Sequence, residues 1–370
     1  MNDITLIKPA VDVPLWIIYE LNSIENNRCI PKYLTYLFYF SMMEMQVFGV
    51  CLLFLQIKLD DTKWNEILAY LCIIILSFII WHSLLYQKKN LQPFIHHIRS
   101  HSLRMKIYPS KQQECLYKFL TLLIYMSPCL LTSLHVYTTE EGSYFKNLMY
   151  GYSVEGYKLG AFIQLFITYA FYAMYMKYPL IMVLAICVLL RHCGILLSQY
   201  DNYMKTIKIP VIPESCINTL RGYFSLIQTI HLLRNILSIP LFISLTSSLI
   251  SLYTFVVYGL NKPEVVVMNF VEFSSNVSTG IISLCAITVY SARIPEYMLD
   301  IKTTVESIID QCHFDDFRER RLMRLFKRIE KRRVVYFSAF GMIDMKRNFL
   351  LTAFGVLFTY GILISRIHLV

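Results

Sequence analysis

Residues 318–333 read Arg-Glu-Arg-Arg-Leu-Met-Arg-Leu-Phe-Lys-Arg-Ile-Glu-Lys-Arg-Arg, and shortly after them residues 349–365 read Phe-Leu-Leu-Thr-Ala-Phe-Gly-Val-Leu-Phe-Thr-Tyr-Gly-Ile-Leu-Ile-Ser without one charge. A dense basic block followed by an apolar stretch of helical length is what a chain shows where it leaves a cytoplasmic loop and enters a bilayer. Working outward, the same alternation runs through the whole sequence. Seven apolar segments stand out: Tyr33–Ile57, Glu66–Tyr86, Phe119–Tyr137, Gly160–Leu190, Ile236–Tyr258, Met268–Ala292 and Phe349–Ser365. Of 35 Lys and Arg residues these segments hold one, Lys177.

The other basic residues divide unevenly. The tail 1–32 has three, and the loops 87–118, 191–235 and 293–347 have seven, five and thirteen. The alternate loops 58–66, 138–160 and 259–268 have two, two and one, and the C-terminal stub has one. That is 28 against 6, and the bias of Lys and Arg to the cytoplasmic side puts the N-terminus inside. Seven crossings from there leave the C-terminus outside, the reverse of a G-protein-coupled receptor. The fold class expected is therefore an all-α membrane protein of seven transmembrane helices, N-terminus inside and C-terminus outside. Its parts are a cytoplasmic tail (1–32), helices one to six (33–292), a cytoplasmic helical segment (293–347) and a last helix (348–370).

Composition agrees: 56% of residues are hydrophobic and 16% charged, far from a soluble globular balance. The net charge of +10 needs no nucleic-acid partner, because the basic excess sits in loops facing anionic inner-leaflet lipid. The first 32 residues are mixed and polar, with Pro9, Pro14 and Pro31, so they do not read as a signal peptide. None of the ten cysteines falls in a loop assigned outside, so no structural disulfide is expected. The sequon Asn276-Val-Ser278 lies inside the sixth segment and reads as a chance match.

The fourth segment is too long for one straight crossing, and its excess contains Lys177 and Pro179. Two short spans there would turn the thirteen-charge loop outward, so one tilted or kinked helix running into the cytoplasm is the better reading. The inner loops also carry helical patterns. Ile217, Leu220, Phe224, Ile227 and Ile230 lead into the fifth span, and 217–258 would make about 63 Å of helix. Val305, Ile308, Ile309 and Cys312 form a second stripe, and Leu322, Leu325, Phe326 and Ile329 a third. These stripes fit either amphipathic packing against headgroups or an inward bundle of spans four to six with the loop before span seven, whose stripes would mediate contacts between subunits.

Four charged groups sit in or near spans: Glu44, Lys177, Glu272 and Arg366. Ionisable residues at membrane depth are costly and are functional candidates by default. Glu44 reads as a protonated buried carboxyl, a partner of Lys177, or an acceptor for a polar ligand. Glu272, near the outer end of span six, is placed to snorkel to water. The aromatic load, 27 Tyr, 24 Phe and 3 Trp, is mostly interface belt and helix packing. A subset nearer the outer side, Tyr70, Tyr125, His135, Tyr169, Tyr172, Tyr253, Glu272 and Asn276, together with Glu44, is placed to line a pocket of apolar walls and a few polar groups. Trp81 and His82 lie at the inner end of span two and are excluded.

His97-Ile-Arg-Ser-His101, after His96, has the spacing of one histidine box of membrane di-iron enzymes, but no second box accompanies it. There is no phosphate-cradling glycine loop, no Ser-His-Asp or Cys-His signature and no repeated half with broken helices. An enzyme is not expected, nor a metal or cofactor.

The stretch Phe337-Ser-Ala-Phe-Gly-Met-Ile-Asp-Met-Lys-Arg-Asn-Phe-Leu-Leu-Thr-Ala-Phe-Gly-Val-Leu-Phe-Thr-Tyr360 resembles the C-terminus of insect-type gustatory receptors. That family has a Gly, an Asp a few residues on, an apolar helix, then Thr-Tyr, five mostly apolar residues and Gln-Phe. Gly341, Asp344, Thr359 and Tyr360 match, while Arg366 and Ile367 stand where the family has Gln-Phe. The resemblance implies a plasma-membrane, ligand-gated, non-selective cation channel for a small-molecule tastant, in the superfamily that includes insect odorant receptors. It also implies a homo- or hetero-tetramer with related subunits around a central pore, an intracellular anchor built by the inward helices, and a ligand pocket in each subunit opening outward. The last span lines the pore in that family. Phe349, Thr352, Val356, Tyr360 and Leu363 recur at the spacing of one inward face, with Val356 and Leu363 suited to a hydrophobic constriction. Arg366 near the outer mouth either snorkels to headgroups, which its long stem favours, or lowers conductance, or bars cations altogether. The rival reading is an inverted seven-helix protein that binds without conducting.

Overall fold

A computed structural model describes residues 111–138, 157–206, 214–261, 270–311 and 317–367, and most positions between 71 and 100. The first span, with Glu44, and also Tyr70, lie outside the described residues. The helices are α1 (Lys111–Thr138), α2 (Tyr157–Tyr172), α3 (Tyr178–Lys205), α4 (Glu214–Asn261), α5 (Phe270–Gln311), α6 (Phe317–Glu330) and α7 (Phe349–Ile367). The described positions of 71–100 are helical apart from a turn at Gln87. Among the described residues, four helices are long and apolar enough to cross a membrane, and α7 is a shorter apolar one.

The fourth apolar segment is one helical path with a defect in it. Between α2 and α3 the residues Ala173–Lys177 form a π-helical turn, closed by the Tyr178 N–H donating to the Ala173 carbonyl five residues back. Pro179 follows in the first turn of α3. A proline has no N–H to return to the carbonyl four residues earlier and crowds it, so the widened turn absorbs the conflict without ending the helix.

The inner stripes continue the spans. α4 runs 48 residues, about 72 Å, and joins the stripe at 217–230 to the fifth span. α5 runs 42 residues through Pro295, so the stripe at Val305 and Ile308 is the lower half of the sixth helix. α5 packs most extensively on α3, then on α4, and α6 lies against α5. Where α5 crosses α3 and α4 the helices come close: a side chain on Gly194 would meet the Tyr297 ring at 3.1 Å, and one on Gly280 would meet the Ser248 carbonyl at 3.2 Å. Asp201, buried on α3, pins the bundle: Thr304 on α5 donates to one carboxylate oxygen at 2.7 Å, and Lys205 pairs with the other at 2.6 Å.

Two expectations for 293–347 are corrected. Helix covers 293–311 and 317–330, but Ser338–Ala339 and Ile343–Asp344 pair as an antiparallel hairpin, with Ser338 opposite Asp344. The apolar stripe of α6 is also occupied within the chain. Phe326 and Ile329 are fully buried, as is Val305 facing them in the same core, so these side chains are not available to another subunit. Of the remaining stripe residues, Leu325 and Ile309 are partly buried against that core, and Cys312 and the Leu322 side chain lie outside the described residues.

Candidate functional site

Two places collect polar groups at positions where the surroundings are apolar. The first is a seam between α1 and the α2–π–α3 path. On α1, Tyr125, Cys129, Thr132 and His135 recur at three- and four-residue spacing and so share a stripe. Near the C-terminal end of α1 the Tyr172 hydroxyl meets His135 Nδ1 at 3.1 Å, with both side chains buried and the rings edge to face. Deeper, the Lys177 ammonium stands 4.3 Å from the centre of the Tyr125 ring and 5.7 Å from that of Tyr178. Tyr169 is within electrostatic range of both tyrosines. Thr132 and Thr168, each almost fully buried, carry hydroxyls with no hydrogen-bond partner among the described residues.

Lys177 is 6% exposed. Among the described residues no carboxylate pairs with it. Two aromatic faces supply on the order of 2 kcal/mol each when desolvated. Taking an ammonium out of water costs several kcal/mol even after relaxation. The rings orient the group without fully replacing its lost hydration.

The expected pocket residues are thus partly gathered. Tyr125, His135, Tyr169 and Tyr172 meet in the seam. Glu272 on α5 is 9% exposed, so it does not snorkel to water as expected; burial within the bundle sets it in electrostatic range of Tyr175 in the π turn. Tyr253 and Asn276 are half-buried on α4 and α5, and no hydrogen bond among the described residues ties them to the seam. Tyr175 and Tyr178 were not foreseen. Their signal was the tyrosine-rich run 169–178 around the one basic residue in any span. His97, of the histidine-box spacing, is spent on Ser225 Oγ at 2.8 Å.

The second place is α7 and the hairpin at its foot. Ala353, Leu357 and Gly361 form the buried face of α7, against α4. Thr352, Val356, Tyr360 and Leu363 are exposed and Phe349 is half-buried, so one chain leaves the expected pore-lining face open. Leu351, Gly355, Phe358 and Ile362 are exposed as well, on the other flank. The two flanks differ in chemistry: Thr352, Thr359 and Tyr360 all lie on the first, and the second is apolar from Leu351 to Ile362, with Ser365 following at its end. Both threonine hydroxyls donate to their own helix, at Asn348 and Gly355. Arg366 is within α7, and its side chain lies outside the described residues.

Of the matched motif, Gly341 sits at the hairpin turn with φ 71°, after Phe340 at φ 51°. Two successive positive φ values are what a type I′ hairpin turn needs, and glycine takes one without strain. Asp344 is on the second strand. The hairpin rests on one face of α4: Arg234 donates to Ser338 Oγ at 3.3 Å, the Phe340 N–H donates to the Ser238 carbonyl at 3.1 Å, and the Phe340 ring lies 5.7 Å from that of Phe242.

The fold as a whole is found elsewhere. The insect olfactory receptor OR5 from Machilis hrabei, solved in complex with eugenol, superposes with a TM-score of 0.65 over 90% of either chain, at 10% identity. The fold is that of an insect olfactory receptor. A second structure of the same receptor superposes with a TM-score of 0.59 over 92% of either chain, again at 10% identity. No protein-family model and no curated protein sequence matches the chain. At that identity the likeness is one of fold alone.

Proposed function

We propose that this chain is a gustatory-type chemosensory receptor, a ligand-gated non-selective cation channel opened by a small molecule. In this reading it is a multi-pass plasma-membrane protein of seven spans, its N-terminus inside and its C-terminus outside. Copies of it, or of it with related subunits, assemble as a tetramer, and the flank of α7 bearing Phe349, Thr352, Val356, Tyr360 and Leu363 lines the pore. Val356 and Leu363 form the hydrophobic constriction. The observation that carries the reading is the polar flank of α7. One chain leaves Tyr360 57% exposed on the flank of Thr352 and Thr359, while the other flank is apolar from Leu351 to Ile362. A helix wholly surrounded by lipid has no reason to sort its residues this way, whereas one between lipid and water does.

The small-molecule ligand is assigned to the seam, with Tyr125, His135, Tyr169 and Tyr172, and with Glu44, Tyr253, Glu272 and Asn276 as further candidates. The eugenol complex of the fold neighbour supports a pocket for a compact aromatic molecule. The alternative readings are an odorant-receptor-like channel subunit and a protein that binds without conducting; Arg366 at the outer mouth favours the latter, since a ring of four would oppose cations. Expression in cells with current recording separates these. A ligand-evoked cation current is expected, and robust surface expression with no current across a wide ligand panel would overturn the channel. Epitope tags at both ends, probed on intact and permeabilised cells, test the orientation; an N-terminal tag reachable on intact cells would sink it.

A further inference from the structure

We propose that Lys177 is the anion-recognising group of the seam, so that the molecule this chain takes is a small organic acid with an apolar or aromatic body. The inference rests on reading the seam as the ligand pocket. Three observations carry it. Lys177 is more than nine-tenths buried, and no carboxylate among the described residues pairs with it; the buried carboxylate of the region, Glu272, lies in range of Tyr175. Its ammonium is held by the faces of Tyr125 and Tyr178, an arrangement that fixes a cation and leaves its three N–H donors for an acceptor. It also ends the π turn, and such widened turns recur at functional sites because they set a side chain off the regular helical face.

The chemistry then selects a ligand. A carboxylate placed at Lys177 Nζ completes an ion pair in an apolar surrounding, where an uncharged alcohol of the same shape offers one weak acceptor. Thr132 on α1 and Thr168 on α2 carry buried hydroxyls with no hydrogen-bond partner among the described residues and supply further donors along the seam, and Tyr125, Tyr169 and Tyr178 supply flat walls for the body of the acid.

The test uses full-length protein in lipid nanodiscs and three matched pairs: phenylacetate with 2-phenylethanol, benzoate with benzyl alcohol, and hexanoate with 1-hexanol. Thermal unfolding midpoints are titrated with each. At least one acid is expected to raise the midpoint where its alcohol, at equal concentration, does not. Lys177→Met is expected to weaken that acid's half-saturating concentration tenfold or more, and Lys177→Arg to keep it within about threefold. Because a buried charge replaced by an apolar chain of similar length is neutral or stabilising, Lys177→Met without ligand should melt no lower than the parent. The proposal is overturned if no acid outperforms its alcohol, if Lys177→Met binds the acid as the parent does, or if it melts lower without ligand, which would make the lysine structural. Should Lys177→Met not fold, Lys177→Gln carries the same comparison, and failure of both to fold also overturns it. Current recordings with the same six compounds separate this inference from the channel reading. Acid binding lost in Lys177→Met but never accompanied by current keeps the inference and removes the channel. Currents evoked only by neutral compounds, and unchanged in Lys177→Met, keep the channel and remove the inference.

Discussion

Arg347, two residues before α7, grips Glu296 on α5 with two arms, Nε to Oε1 and Nη2 to Oε2, both at 2.6 Å. Glu296 follows Pro295, so the pair ties the foot of the last helix to the point where α5 carries a proline inside its length. Both side chains are exposed in the single chain, and an exposed ion pair contributes only about 0.2–1 kcal/mol to folding. Its value is positional, because a bidentate fork fixes direction as well as distance. Arg347→Glu should therefore barely move the unfolding midpoint yet shift the ligand concentration for half-maximal current. The exchanged pair, Glu296→Arg with Arg347→Glu, should restore it; a double variant no better than the single would show that the pair does not position α7.

Gly341 offers a test of the hairpin that is free of packing effects. A side chain added there would meet nothing within 4 Å, so any penalty comes from the backbone at φ 71°. Placing an L-residue in that region costs roughly 1–2 kcal/mol, more for a β-branched one. Gly341→Val should lower the unfolding midpoint, and Gly341→Asn should lower it much less, since asparagine tolerates this region. Equal melting of the two would mean the turn relaxes at no cost.

The long helices were legible because periodic apolar residues ran unbroken from inner loops into spans: Ile217 through Ile230 into α4, and Val305 and Ile308 as the tail of α5. Their burial partners were not, since periodicity gives a face and not what covers it. The stripe of Phe326 and Ile329 was assigned to another subunit and lies in its own chain's core. The hairpin escaped notice because strands of two residues are shorter than any period-2 pattern that could announce them. Gly341 and Asp344 were visible as matched residues, with no geometry attached. In the seam, Tyr125, His135, Tyr169 and Tyr172 were picked by type and depth. Tyr175 and Tyr178 were not, because a regular helix would not turn them and Lys177 in as the π turn does.

Asp201 and Thr304 give a test of the inner bundle. A hydrogen bond to a charged acceptor contributes about 1.5–3 kcal/mol, and Thr304→Val removes it while leaving the buried carboxylate in place. That variant should lose roughly this much in chemical unfolding of the detergent-solubilised protein. Asp201→Leu combined with Thr304→Val should lie closer to the parent than Thr304→Val alone, because it leaves no buried acceptor short of a donor. A double variant worse than either single would mean that the Lys205 pair carries the stability.

The contact of α7 with α4 is close at Gly361, where an added Cβ would fall 2.3 Å from Val256 Cγ1. No flexible chain end is available to move aside, so Gly361→Ala has to push α7 outward. Overpacking of this kind costs about 1–3 kcal/mol. The remedy is visible in the same geometry. The next atom, Val256 Cβ, stands 3.5 Å away, an ordinary contact, so removing the two methyls with Val256→Ala should let Gly361→Ala settle at the parent's spacing. Gly361→Ala alone is expected to lower the unfolding midpoint and reduce current, and the double variant to recover both. Gly355, on the apolar flank of α7, is the control: nothing stands within 4 Å of its added Cβ, and alanine is favoured there by about 1 kcal/mol of helix propensity. Gly355→Ala should leave oligomer size and current unchanged. Loss of assembled species on a sizing column would instead mean that the Leu351, Gly355, Phe358 and Ile362 flank packs against a second copy, and that the polar flank is not the only face of α7 turned away from lipid.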